Sequence, residues 1–413
     1  MTTVVKALFA LLLGTSLIVI GTGLLGTALA LQADRLGFSG TLTGIVMSAY
    51  FAGYVLGTYV CPKIVRSAGH VRAFSAFAAT AASAVLLHPL LVHAAVWTAL
   101  RFVTGACVVG LYMVIESWLN ERATNEARGR VFAAYQVISL TGFAAGQYLI
   151  LFDGNSLSTA FIIAGALLSM ALVPVVLTRV PHPAAISTVH LELGRLLSIS
   201  PLGVAGTLVA GLANGAFFAL GPVFAQRVGL EATWVAIFMS AVLIGGVALQ
   251  WPIGHASDLW DRRTVILAVA VAGALFAAVA SALLGRSLPA TLATMLLYGG
   301  AAFSLYPLCV AHANDFADAR EFVATASGLL LVYGIGAVVG PLVAGALIQL
   351  AGASAFLLLL SSMHAALAIF VVVRMSIRRA PEEQERFVML ARTSQSVLEM
   401  IAPNDDEARP PSP

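Results

Sequence analysis

Twelve apolar segments, each long enough to cross a lipid bilayer as a helix, dominate this sequence. Crossing the hydrocarbon core takes about 20 apolar residues at a rise of about 1.5 Å per residue. Backbone polar groups in lipid must be satisfied within the segment itself, so such a chain folds as a bundle of membrane helices. The predicted spans are residues 5–31, 40–61, 71–92, 96–119, 130–151, 158–178, 200–223, 232–254, 264–285, 289–311, 322–350 and 353–375.

The composition supports an all-α membrane protein. Of 413 residues, 60% are hydrophobic and only 10% are charged, whereas soluble domains carry about 25% charged residues. The sequence has no basic run with interleaved aromatic residues and no Gly-rich phosphate loop, which argues against nucleic acid as a partner and against transport driven by nucleotide hydrolysis. The three cysteines have no metal-binding or redox spacing. We therefore expect no cofactor and no metal.

Two basic loops, residues 57–72 and 246–263, echo each other about half a chain apart. Each follows a long apolar segment, concentrates several charges and leads into another apolar segment. The repeat predicts two homologous bundles of six helices, an architecture used for moving solutes across bilayers. The expected units are residues 1–180 for the N-terminal bundle, 181–199 for a cytoplasmic linker, 200–378 for the C-terminal bundle and 379–413 for a largely disordered cytoplasmic tail.

The distribution of basic residues predicts the orientation. Of the 22 Lys and Arg residues, only Arg35, Arg101, Arg227 and Arg286 fall on the side away from the termini, which leaves 18 on the side of the termini. The positive-inside rule then places both termini in the cytoplasm, as an even number of spans requires. We expect a multi-pass protein of the bacterial inner membrane that acts as a monomer.

Several motifs resemble those of the major facilitator superfamily. The loop from Gly254 to Arg263, GHASDLWDRR, is similar to that family's signature between the eighth and ninth helices, except that Asp261 replaces a glycine. Further matches are RFVTG at residues 101–105 and the Gly-rich stretch 334–345. The segments RFVTGACVVGLYMVIESWL, GQYL, LQWPIGHASD and FSLYPL resemble the bacterial YcaD-like subgroup. The resemblance implies a major facilitator fold with two pseudo-symmetric six-helix bundles.

The resemblance also implies a cytoplasmic gate. Asp258 would lie against the start of the fifth helix, where a carboxylate is stabilised by the helix dipole and by nearby cations. In the first loop, Arg66 stands where the family has an acidic residue, and it would face acidic residues at the start of the eleventh helix. The alternative is that these charges only anchor the loops in the cytoplasm. The candidate gate residues are Asp258, Arg262, Arg263, Arg130, Arg66, Gly69 and Glu321.

Polar residues at mid-membrane depth are costly and tend to face a cavity. In the resembled fold, helices 1, 2, 4, 5, 7, 8, 10 and 11 line the substrate cavity. The candidate cavity residues on those helices are Thr15, Tyr50, Tyr54, Tyr112, Gln136, Gln147, Asn214, Gln250, Tyr306 and Tyr333.

Two charged residues of the fourth span are candidates for a buried charge. Glu116 would carry a coupling proton if it were desolvated, or it would form a structural ion pair with Arg128 or Arg130; we favour the ion pair. Arg101 would bind an anionic group, or it would extend to the lipid headgroups; we favour the headgroups.

The sequence favours a secondary active transporter that works by alternating access. The cavity has few charges, so the expected substrate is a small, neutral or singly charged organic solute. Proton-coupled efflux is one option, with the proton as coupling ion, because the sequence fixes neither direction nor coupling. The alternative is a membrane receptor or partner-binding protein on the same scaffold. We expect no enzyme activity, because no Ser/His/Asp group, His-rich cluster or carboxylate pair falls on one membrane face.

Overall fold

A computed structural model describes residues 2–122, 125–152, 158–177, 193–318 and 321–377. They form fourteen α-helices and one short 3-10 helix, Leu149–Phe152. The helices are α1 Thr2–Arg35, α2 Gly40–Ala68, α3 His70–Leu87, α4 Ala94–Arg122, α5 Asn125–Tyr148, α6 Ser158–Met170, α7 Leu172–Val176, α8 Leu193–Ile199, α9 Pro201–Arg227, α10 Ala232–Leu259, α11 Arg262–Leu283, α12 Leu288–Asn314, α13 Phe322–Ala351 and α14 Ala355–Ile377.

Twelve spans in the described part of the chain are long and apolar enough to cross a membrane, with α6 and α7 together forming the sixth. Each overlaps the span predicted at that place, and the all-α membrane fold is confirmed. Several helices continue past the predicted apolar limit, such as α2 to Ala68 and α10 to Leu259. Membrane thickness limits the apolar stretch but not the helix, which extends into the polar layer. The expected linker and tail lie mostly outside the described residues; α8 is the described part of the linker.

Short connections with defined caps join the spans. Ser39 accepts a hydrogen bond from the backbone N–H of Leu42 at 3.2 Å at the start of α2. Ser200 accepts one from Gly203 N–H at 3.0 Å at the start of α9, where Pro201 supplies a first-turn residue without an N–H. These caps satisfy backbone donors that the helix cannot pair by itself.

The crossing of α2 with α4 depends on two glycines. A Cβ atom on Gly53 would overlap the carbonyl oxygen of Phe102, and one on Gly105 would overlap that of Tyr50. Small residues allow the backbones of membrane helices to approach closely. The two helices therefore pack backbone to backbone, which fixes the ring of Tyr50 relative to the first turns of α4.

The crossing of α10 with α12 repeats this arrangement in the second half. A Cβ atom on Gly245 would overlap the carbonyl oxygen of Leu296, and one on Gly299 would overlap that of Val242. Each glycine and each carbonyl has its counterpart at the α2/α4 crossing. The two bundles are thus related by pseudo-symmetry in their backbone packing.

The two halves are closed against each other at one face of the molecule. We call the face where α1 begins and α14 ends the terminal face, and the other the distal face. At the distal face, Arg227 at the end of α9 forms an ion pair with Asp34 of α1 at 2.7 Å. The backbone N–H of Thr41 in α2 donates to Gln349 Oε1 in α13 at 3.2 Å. These contacts join the first half to the second.

Candidate functional site

A cavity of about 250 Å³ lies between the two halves. Its walls come from α1, α2, α4 and α5 of the first half and from α9, α10, α12 and α13 of the second. These are the eight spans that the resemblance implied. The polar residues in the walls are Thr22, Tyr50, Tyr54, Thr58, Tyr59, Arg101, Tyr112, Gln136, Ser139, Gln250, Ser327 and Tyr333.

Several residues expected at the cavity do line it. They come from both halves and from five different helices, so the cavity is a joint product of the two bundles. Those residues are Tyr50, Tyr54, Tyr112, Gln136, Gln250 and Tyr333.

Four other candidates lie in the helix packing beside the cavity. Thr15 donates to the carbonyl of Leu11 in its own helix. The side-chain amide of Gln147 in α5 donates to the carbonyl of Gly23 in α1 and thereby joins the two helices. Asn214 and Tyr306 are buried as well, and the ring of Tyr306 packs edge-on against Tyr333 at 5.2 Å between centroids. Tyr306 therefore supports a cavity residue without lining the cavity.

Five polar residues of the wall were not among the expected cavity residues: Thr22, Thr58, Tyr59, Ser139 and Ser327. Threonine and serine in membrane helices commonly satisfy their hydroxyl groups on the preceding turn, so they give little signal in the sequence. Thr22, for example, donates to the carbonyl of Ile18 at 2.9 Å. For Thr58 the sequence did contain a signal. It lies one helical turn after Tyr54, which was expected at the cavity, so the two side chains share a helix face.

The structure corrects the expectation for Arg101. The residue is only 4% exposed, and its guanidinium carbon lies 4.5 Å from the centroid of the Tyr50 ring. Arg101 therefore faces the cavity and does not extend to the headgroups. The physical reason is the close α2/α4 crossing, since Gly105 is one turn from Arg101 and both lie on the helix face that meets α2.

Glu116 is fully buried in α4. The hydroxyl of Tyr135 in α5 donates to Glu116 Oε1 at 2.6 Å. Arg130, one of the two expected partners, is exposed, and the side chain of Arg128 lies outside the described residues. The hydrogen bond from Tyr135 joins α4 to α5 and was not expected from the sequence.

The second basic loop holds a buried ion pair. Arg262 at the start of α11 donates from Nη1 to Asp315 Oδ1 at 2.5 Å, and its side chain is 1% exposed and that of Asp315 0%. Asp258, at the end of α10, lies 3.5 Å from Arg262 Nη2. The loop thereby joins the terminal-face ends of α10, α11 and α12.

Asp261 explains why this loop lacks the glycine of the resembled signature. Asp261 has φ −53°, and its side chain accepts from the backbone N–H of Arg263 at 3.0 Å, which caps α11. The Arg263 guanidinium, 2.7 Å away, lowers the pKa of Asp261. In the first loop, Gly69 has φ +83°, which favours glycine. The second loop turns without a positive φ, so an aspartate fits.

Glu321 and Arg66 are further gate candidates, and they lie at the ends of two different helices. Glu321, directly before α13, forms an ion pair with Arg195 of α8. The resemblance implied that Arg66 would face the start of α13. In the described part of the chain, the ion-pair partner of Glu321 is Arg195 instead. Arg66 is exposed in the last turn of α2. The short helix α8 is thus tied to the second half.

Twelve spans in two pseudo-symmetric bundles, with a cavity between them that both bundles line, form an architecture in which many secondary transporters are built. The particular family follows from sequence. The chain belongs to the Major Facilitator Superfamily, which matches residues 11–331 and, in a second match, residues 204–402. This family is a class of transporters rather than of enzymes.

Known proteins resemble the chain over most of its length. An uncharacterized MFS-type transporter of Enterobacter sp. (strain 638) is 26% identical over 387 residues, which cover 92% of this chain and 98% of that one. The MFS-type transporter YcaD of Shigella flexneri is 28% identical over 353 residues, 84% of this chain and 91% of that one. Among solved structures, the nucleoside transporter NupG superposes with a TM-score of 0.73 at 14% identity, covering 92% of this chain and 100% of that one. The similarity to YcaD confirms the resemblance to that subgroup.

Proposed function

We propose that this protein is a secondary active transporter that moves a small organic solute across the membrane by alternating access. The observation that carries the proposal is the position of the cavity, which lies between two halves that contact each other at the distal face. A solute in that cavity touches both halves, so rocking of one half against the other would expose it to each side in turn.

The wall of the cavity indicates the kind of solute. Most of the wall is apolar or aromatic, with contributions from Phe51, Phe143, Phe218 and Phe303. The volume of about 250 Å³ lies just below the range of about 300–1,000 Å³ typical of ligand pockets. A small organic molecule with an apolar body fits this space.

The excess of basic residues near the terminal face supports a cytoplasmic location for that face in the bacterial inner membrane. The two transport units would be residues 1–180 and 200–378, joined by a linker at residues 181–199 and acting as one monomer. The repeated glycine crossings support this division.

Labelling of single cysteines tests the orientation. With the three native cysteines replaced, cysteines at Ser39 or Arg286 should react with an impermeant maleimide added to intact cells, because both residues are exposed at the distal face. A cysteine at Ser67, exposed at the terminal face, should react only after the cells are opened. The reverse pattern would contradict the proposed orientation.

Solute uptake into proteoliposomes tests the function. Purified protein would be screened against a library of metabolites and drugs, with and without a pH gradient, which also reports direction and proton coupling. The control is a variant with cysteines at Thr41 and Gln349 joined by a cleavable crosslinker, which holds the distal face shut. Flux that stops on crosslinking and returns on cleavage supports the proposal. A folded protein that binds solutes yet moves none would favour the receptor alternative.

A further inference from the structure

Arg101 and Tyr50 form a charged corner in a cavity whose described wall is otherwise uncharged. Resting on the proposed function, we propose that this pair is a subsite for the carboxylate of a monoanionic organic solute. Arg101 lies about two turns from the distal end of α4, at the closed end of the cavity. A solute entering from the terminal face would therefore place its carboxylate deepest and its apolar body towards the entrance.

No acidic side chain in the described part of the chain neutralises Arg101. Each ion pair found among those residues involves another arginine. The described cavity wall contains no Asp or Glu. Asp34, near the same face, is paired with Arg227, and Glu116 lies about four turns further along α4. A charged side chain inside a membrane bundle is costly and marks a substrate or ion pathway, and here an anionic solute would supply the partner of Arg101.

The geometry of Arg101 leaves hydrogen-bond donors for that anion. Its guanidinium contacts the face of the Tyr50 ring, a stabilising cation–π contact that offers no lone pair to the N–H groups. The buried Nε of Arg101 has no hydrogen-bond partner among the described residues. A guanidinium presents its donors as a planar fork that matches a carboxylate with two parallel hydrogen bonds.

The pseudo-symmetry shows that helix packing does not require this charge. The α10/α12 crossing has the same two glycines and the same close backbone contacts as the α2/α4 crossing. There, the positions of Tyr50 and Arg101 are taken by Val242 and Met295, and both are fully buried. Two helices can therefore cross with this geometry when both positions hold apolar residues. Arg101 lines the cavity, whereas its counterpart Met295 is not among the wall residues. The charge is therefore found at the position that can contact a solute, which favours a ligand-binding role.

The remainder of the wall sets the class of anion. One cation balances one negative charge, so a monocarboxylate is matched and a phosphate dianion is not. Away from Arg101, Gln250 and Ser327 of the second half each carry a buried oxygen without a hydrogen-bond partner among the described residues. These two groups would bind a polar substituent of the solute. The aromatic residues between the two ends would hold an apolar or aromatic body.

Matched ligand series test the subsite on the purified full-length protein. Each series contains a carboxylate, its amide and its amine on one body, starting with phenylacetate, phenylacetamide and phenethylamine and extending to indole and C6–C12 alkyl bodies. Ligand-induced shifts of the melting temperature would be measured for the wild type, Arg101→Met and Arg101→Lys. Arg286→Gln, which removes an exposed arginine, is the matched control for loss of charge.

We expect at least one carboxylate to stabilise the wild type and Arg286→Gln more than its amide and amine do. In Arg101→Met this preference should disappear, and in Arg101→Lys the apparent Kd should rise at least tenfold while a preference for the anion remains. The proposal is overturned if no carboxylate exceeds its amide in the wild type, or if Arg101→Met keeps the preference. Should Arg101→Met fail to fold, the lysine variant alone decides: an unchanged Kd overturns the proposal.

Transport of the same solutes separates this inference from the proposed function. Counterflow of a neutral solute that persists in Arg101→Met, together with no anion preference in binding, would leave the transporter proposal standing and remove the subsite. Anion binding that depends on Arg101 without any flux would keep the subsite and remove the transporter proposal.

Discussion

Arg262 illustrates how this chain stabilises a charge that its fold buries. The guanidinium has two carboxylates nearby, buried Asp315 at 2.5 Å and partly exposed Asp258 at 3.5 Å. Burying a charge is costly unless it is paired and hydrogen-bonded. These contacts therefore hold the ends of α10, α11 and α12 in a fixed relation. The buried pair stabilises the protein only while both Arg262 and Asp315 are present.

Removing one partner of this pair should destabilise the protein strongly. We expect Asp315→Asn to lower the free energy of unfolding by about 3–5 kcal/mol, because it takes the closest carboxylate from a buried cation. The matched control is Arg263→Gln, which breaks the more exposed pair with Asp261 and should cost about 0–1 kcal/mol. Unfolding in detergent, followed by circular dichroism, measures both variants. Equal losses would contradict the assigned difference in burial.

Arg101 shows what a single sequence reveals about a residue in a membrane helix. Its depth, near the end of the span, can be read from the sequence, and residues near helix ends often extend to the headgroups. The rotation of the helix cannot be read in this way, because it is set by the neighbours that pack against the helix. The glycine at position 105 was the available signal, because it places a helix contact one turn from Arg101 on the same face.

At the level of helices, close crossings through glycine determine where the cavity side chains lie. The α2/α4 crossing brings the carbonyl oxygen of Tyr50 to the position that a Cβ of Gly105 would occupy. Adding even one methyl group would push the two helices apart. The ring of Tyr50 would then move relative to Arg101, so packing and the charged corner of the cavity are coupled.

Gly105→Ala should therefore destabilise the protein by about 1–3 kcal/mol, the usual cost of overpacking a core. Gly26→Ala is the matched control, since Gly26 also lies within a helix but a Cβ there meets nothing within 4 Å. Alanine should be neutral or stabilising by up to about 1 kcal/mol at that position. Melting temperatures of the two variants check the expectation; similar values would contradict the steric argument.

The existence and order of the helices could be predicted because bilayer thickness sets the length of each apolar segment. Details set by packing could not. The sixth span is one apolar segment in the sequence, yet it divides into α6 and α7 around Ala171, shortly before Pro174. The hydrogen bond from Tyr135 to Glu116 likewise depends on how α4 faces α5, which apolar length does not specify.

At the level of the whole molecule, the described contacts between the halves include a polar closure at the distal face. Asp34 pairs with Arg227 there, and their side chains are 16% and 30% exposed. The gate loops implied by the resemblance lie at the terminal face instead. Alternating access requires that contacts at one face are exchanged for contacts at the other. The two-bundle fold could be predicted from the repeated loop. The closed face could not, because the apolar pattern does not specify which ends of the two bundles contact each other.

Distances across both faces, measured by electron spin resonance on one protein, test alternating access most directly. Spin labels at exposed positions 36 and 231 report on the distal face, and labels at 67 and 260 report on the terminal face, in a background without the three native cysteines. The variant is Asp34→Asn, which weakens the distal ion pair, and Arg35→Gln, an exposed neighbour, is the control.

We expect Asp34→Asn to increase the population with long distal distances by up to about fivefold, since a partly exposed ion pair contributes about 0–1 kcal/mol. The population with short terminal-face distances should rise by the same factor, while Arg35→Gln leaves both unchanged. If the distal distances lengthen with no shortening at the terminal face, the two halves do not rock against each other, and the proposed mechanism is contradicted.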